Sequence, residues 1–277
     1  MRMSANQFQN WSQKAITLLG MSGVGKTVLA NKLRRENWYH YSGDYRIGSR
    51  YLDEPIMDNI KKHAMTVPLL RELLRSDSIT ISNKITFENL KPLSIFLSKI
   101  GDPNLNGLTL EEFSRRQDLH RRGEIKSMLD VPKFIERARN VYAYDHFVND
   151  AGGSVCELDD ADVIECLAQH TMIIYLKATK ADEEQLVARQ IQEPKPMYYR
   201  PAFLKQQLPQ YLREKGLSST DEIEPDDFVR WIFPKLFYER IPRYEKIAAD
   251  FGYTITTDEL ASVTGASDFL KLLETKL

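Results

Sequence analysis

Cysteine is nearly absent from this chain: Cys156 and Cys166 are its only thiols in 277 residues. Their spacing matches neither a zinc nor a dithiol pattern, so they read as small apolar residues of a reducing compartment, a reactive thiol being the alternative. Excess charge of either sign is also missing. With 38 Lys+Arg against 39 Asp+Glu, no net field favours indiscriminate attraction to nucleic acid or to an anionic membrane. No run approaches the roughly twenty apolar residues of a membrane span, and the polar stretch 1–10 has no apolar signal core. The expected location is the cytoplasm, with neither membrane nor nucleic acid as partner. The five histidines show no metal-ligand spacing, and no zinc site is assigned. What is present, 42% hydrophobic and 10% aromatic residues, is the composition of a folded protein long enough to bury a substantial core.

Apolar, partly β-branched runs alternate with helical patterns, which predicts an α/β protein with a parallel sheet. The runs fall at 15–19, 38–42, 144–148, 171–176 and 253–256, the second leaving through a turn at Gly43-Asp44, and a closing helix spans 267–276. Two polar helical regions interrupt this core. Residues 57–139 break at Pro68, Pro92, Gly101-Asp102-Pro103 and Pro132, and residues 181–240 break at Glu193–Pro196, at Pro209 and around 216–225. Both emerge past strand carboxyl ends, the edge where ligands bind in open parallel sheets. They are read as lobes of one domain spanning 1–277, the first on the substrate side and the second a lid. The aromatic groups at 38–41, 142–147 and 231–238 read as core packing, with a stacking platform for a base as the alternative.

The most specific signal lies between the first strand and the helix after it. Gly20-Met21-Ser22-Gly23-Val24-Gly25-Lys26-Thr27 completes the pattern G-x-x-x-x-G-K-[ST]. Glycines let successive N–H groups face phosphate oxygens, a helix start adds its positive end, the lysine reaches the β/γ-phosphates, and the threonine hydroxyl can bind Mg²⁺. A nucleoside triphosphate, read as ATP, is therefore the expected ligand, with Gly20, Ser22, Gly23, Val24, Gly25, Lys26 and Thr27 as its cradle. The metal needs a carboxylate, directly or through water. Asp150, at the end of an apolar strand, is placed for that role, or else caps the glycine turn after it.

In order along the chain come this loop, Tyr41-Ser42-Gly43-Asp44 with Arg46-Ile47-Gly48, Phe147–Ser154, Thr171–Leu176, Arg200-Pro201, Glu239–Tyr244 and Thr256–Leu260. That series resembles the shikimate-kinase type of phosphate-loop small-molecule kinase. The resemblance implies the P-loop NTPase three-layer fold, a parallel five-stranded sheet between helices, here with enlarged substrate-side and lid insertions. It implies that Asp44 faces an acceptor hydroxyl and that Gly152, Gly153 and Arg240 bind the acceptor. It also implies that Arg200 closes over the transferring phosphate, with Lys195 and Arg189 as neighbouring substitutes. Ser42 stands where the family has the first carboxylate of its D-x-D pair, and the glycine triplet is reduced to Gly152-Gly153.

These residues predict a kinase moving the γ-phosphate of Mg·ATP to a hydroxyl of a small, anionic metabolite, with Lys26, Asp44 and Arg200 catalytic and Thr27 and Asp150 at the metal. The dense cations Arg115, Arg116, Arg121 and Arg122 read as an exposed helix face or, more sharply, as a site for that anion. An ATPase or nucleotide switch whose lobes bind a protein partner is the alternative, and a nucleoside or nucleotide kinase is a second.

Overall fold

The computed structural model describes residues 2–277; Met1, the first residue of the polar amino-terminal stretch, lies outside them. Strands β1 (Ala15–Leu19), β2 (Trp38–Ser42), β3 (His146–Asp150), β4 (Met172–Lys177) and β5 (Gly252–Thr256) form one sheet in the order β2-β3-β1-β4-β5, and every pairing is parallel. Helices pack on the sheet, as parallel pairing demands, since each crossover must run back across a face. All five side chains of β1 are buried, which is why that strand reads as a continuous apolar run rather than an alternating one.

The register sets the level of the site. Leu18 pairs with Asp150 and Ser42 pairs with Asp150, so three strands deliver their carboxyl ends to one edge. The chain reverses its strand order beside β1, and ligands bind at that crevice in open α/β sheets. This topology, with a phosphate loop leaving β1, is the three-layer arrangement of P-loop proteins.

Three expectations need correction. The third strand begins at His146, not at 144. Ala143 sits in the left-handed region at φ 55° and Tyr144 N donates to Ala138 O at 2.9 Å, so this stretch ends the preceding helix before entering the ladder. Gly43-Asp44 is not a turn but the first helical residues after β2, in Gly43–Arg46, with Ser42 accepting from Tyr45 N as N-cap. Pro209 does not break the second helical region: Pro201–Lys215 is one helix, and buried Phe203, Leu204, Leu208 and Tyr211 offset the lost backbone bond.

The first helical region carries helices Asp53–Ala64, Pro68–Arg75, Lys91–Leu97, Leu110–Leu129 and Val131–Asn140. In the second, helix Lys180–Gln192 precedes Pro201–Lys215, and a 27-residue helix, Pro225–Phe251, continues past residue 240 to the sheet. A main apolar cluster surrounds the sheet. A second gathers Phe113, Tyr199, Phe203, Tyr211, Phe228 and Ile232, and a smaller one joins Ile47, Ile56 and Phe96. Among the described residues, no helix is long and apolar enough to cross a membrane.

Candidate active site

The phosphate loop runs from β1 into helix Lys26–Arg34. It turns through Gly20, Gly23 and Gly25 at φ 141°, 91° and 99°, a region that side chains other than glycine adopt only with strain. At Gly20 a Cβ would also stand 2.7 Å from Leu176 O. Gly25 is the helix N-cap and no side chain caps its first N–H groups, which leaves them to a ligand. Lys26 is buried, and its ammonium donates to Gly20 O at 2.6 Å and Met21 O at 2.9 Å. Burial lowers its pKa, against the nearby charge of Asp150. Thr27 Oγ1 donates to Asp150 Oδ2 at 2.6 Å, joining residues 123 apart in sequence. Among the described residues no group of three or more His, Cys, Asp or Glu could hold a metal ion. A cation beside Thr27 and Asp150 would thus complete its shell with ligand oxygens and water, as Mg²⁺ does in nucleotide sites.

An acidic cluster lies next to this pair. Asp44 is half-buried, and burial together with the charge of Asp150 pushes its carboxyl up to about 6, opposed by Lys26. Glu124, from helix Leu110–Leu129, is fully buried and accepts from Ser154 Oγ at 2.6 Å through Oε2. Its Oε1 has no hydrogen-bond partner, and burial pushes the carboxyl up to about 7. Gly152 separates the two acids: a Cβ there would stand 2.3 Å from Glu124 Oε1 and 3.2 Å from Asp44 Oδ1. Glycine is needed at this point because the carboxyl groups close on the backbone. His40 Nε2 lies 3.5 Å from Asp150 Oδ2, with both ring nitrogens buried and without a hydrogen-bond partner.

A cleft of about 430 Å³ opens between the phosphate loop and the lobes; its lining includes Ser22, Gly23, Asp44, His120, Gly153 and Arg240. Arg240 comes from helix Pro225–Phe251 and is 4% exposed. It donates through Nε and Nη2 to Glu157 Oε2 at 2.9 and 2.6 Å, and to the carbonyls of Gly153 and Tyr198 at 3.0 and 2.8 Å. Burial works against its charge, but Glu157 more than offsets this. Arg189 also lines the cleft, its Nη1 4.0 Å from the point where a Cβ on Gly23 would sit.

The structure thus brings Lys26, Thr27, Asp150, Asp44, Gly152, Gly153 and Arg240 to one sheet edge. Arg200 is placed differently. It is the N-cap of Pro201–Lys215, donates to Glu239 at 2.6 Å and lies 3.7 Å from Asp159, and is not part of the cleft lining. Arg189 and Lys195 are.

The cation-rich run resolves into structural contacts. Arg115 and Arg116 pair with Glu112, Arg116 also binds Phe96 O and Asn59, Arg121 donates to Leu158 O, and Arg122 pairs with Asp118. From that run, His120 is the residue that reaches the cleft. Burial, then the charge of Arg240, lowers its pKa to about 4. Sequence reading passed over His120, Glu124 and Glu157. The signal for Glu124 was its place four residues after His120 on one helix face, facing a double glycine. Cys156 is buried and free, its thiol pushed up to about 12 by burial, as befits a packing residue.

No protein-family model matches the chain, and no curated protein matches it. Among solved structures it is similar to shikimate kinase from Bacteroides thetaiotaomicron, at 15% identity over 95% of this chain and 97% of that one, with a TM-score of 0.40.

Proposed function

We propose that this chain is an ATP-dependent phosphotransferase acting on a hydroxyl of a small acceptor held in the cleft. The observation that carries this reading is the 2.6 Å contact between Thr27 and Asp150, with Asp44 on the same edge of the sheet. A switch needs the first pair; an acceptor carboxylate beside it serves transfer. Bound Mg·ATP would supply the phosphoryl group and a divalent charge to offset its negative oxygens. The loop amides and Lys26 would hold the β/γ-phosphates, and Thr27 and Asp150 would hold the metal through oxygen. Asp44, with its carboxyl raised to about 6, is ionised at neutral pH yet basic enough to accept the acceptor's proton as its oxygen bonds to phosphorus and ADP departs. Arg189, exposed above Gly23, is the lid cation set to neutralise the equatorial oxygens.

Two variants test the reading. Lys26→Ala should abolish binding of a fluorescent ATP analogue. Asp44→Asn should retain that binding and lose about 10²–10⁴-fold in acceptor-dependent turnover. Hydrolysis indifferent to every acceptor, with one protein co-purifying, would select the ATPase or switch reading instead.

A further inference from the structure

The acceptor side of the cleft is built from groups whose charges are already spent. Arg240 is the one buried arginine in the lining. A guanidinium has five N–H groups. Here Glu157 takes two of them, and Gly153 O and Tyr198 O take one each. One N–H remains, too few for the two-pronged grip by which arginine holds a carboxylate. The wall beside it carries Asp44, backed by Glu124 across Gly152. A carboxylate entering there would meet the like charge of Asp44. An ammonium would face the remaining N–H of Arg240, a donor with which it can form no hydrogen bond. Buried polar atoms without partners on this side include Glu124 Oε1 and, on residues lining the cleft, Tyr198 Oη and His120 Nδ1, the last 3.9 Å from Glu124 Oε2. Tyr198 and His120 each offer a single-point uncharged hydrogen-bonding group, and the two rings stack at 5.8 Å.

Resting on the phosphotransferase reading, we propose that the acceptor is an uncharged hydroxyl-bearing molecule of polyol, sugar or nucleoside type, held by Asp44, His120, Tyr198 and the last free N–H of Arg240. The anionic acceptor expected from the arginines alone gives way, because Glu157 and the carbonyls have already claimed Arg240. The reaction forms an acceptor O–P bond, breaks the bond between the β-bridging oxygen and the γ-phosphorus, and passes the hydroxyl proton to Asp44 and then to water.

The test uses the full chain with Mg·ATP and a panel of polyols, hexoses, pentoses and nucleosides, each beside its carboxylated and aminated relative. ADP release is the readout. At least one neutral member should be phosphorylated, with its charged relatives slower by roughly a hundredfold, the scale of placing a like charge in a site of this kind. A charged member that outruns its neutral relative overturns the proposal, and so does a panel in which no neutral member reacts while the ATP analogue still binds. If wild type and Lys26→Ala bind the analogue equally poorly, it is the phosphotransferase reading that fails. Folded Glu157→Gln, which frees Arg240, should let the carboxylated relatives inhibit about tenfold more strongly than in wild type; unchanged inhibition also overturns the proposal.

Discussion

Replacing Glu124 by glutamine should make the protein more stable, and increasingly so as the pH rises. The carboxyl is fully buried, keeps one oxygen without a partner and titrates near 7, against about 4.5 when unfolded. Protonation therefore favours the folded state. The benefit is complete below pH about 4.5 and is lost as the pH climbs through about 7. The full difference corresponds to roughly 3 kcal/mol, of which about 2 kcal/mol falls between pH 5.5 and 8. Glutamine preserves the shape and still accepts from Ser154 but cannot ionise, so it escapes this loss. Urea unfolding of both proteins across that interval gives the test. Asp44 titrates in each, so the difference between the curves isolates Glu124. The gap should widen by about 2 kcal/mol from pH 5.5 to 8. Parallel curves would mean that Glu124 is solvated or paired, and the account of the acceptor wall would fall with it.

Three further outcomes follow from the geometry. Arg189→Ala should cost about 10²–10³ in turnover, as losing one charge-stabilising donor does, whereas Arg200→Ala should cost less than about tenfold and lower stability by at most about 1 kcal/mol, the worth of a partly exposed ion pair; steady-state kinetics and urea melts distinguish them, and the reverse ranking would restore Arg200 as the lid cation. Gly152→Ala should destabilise the fold by about 1–3 kcal/mol, because its methyl would enter the space of Glu124 Oε1, and should suppress acceptor turnover while analogue binding persists. Ser42→Ala removes the cap on Tyr45 N and should cost about 1 kcal/mol in a urea melt, with turnover reduced less than tenfold; a larger kinetic loss would show that the hydroxyl serves the metal.

What the sequence disclosed was local or periodic. β1 and β2 were legible because each is a short apolar run closed by a sharp signal, and the loop because its eight residues encode their own conformation. Asp150 could be found because it ends an apolar strand. Long-range pairing was hidden. Nothing in the local pattern joins Arg240 to Glu157, 83 residues away, so that pairing had no trace in the sequence. His120 was masked by the arginines around it, whose charges are absorbed by neighbours on the same helix. The position of Arg200 was hidden for a similar reason: an Arg-Pro step also starts a helix, and its side chain is held by Glu239 and Asp159, which are distant in sequence. The start of β3 was displaced because left-handed backbone at Ala143 leaves no hydropathy signature.

The helix Pro225–Phe251 is shared property. Phe228, Ile232 and Leu236 belong to the second apolar cluster, while Phe237, Tyr244 and Ala248 belong to the one around the sheet. One continuous rod, about 40 Å long at 1.5 Å per residue, is thus a structural member of both cores, and melting of either should loosen the other. Heating should therefore give a single cooperative transition, and a fragment cut between residues 181 and 240 should leave two pieces that each lack half a core.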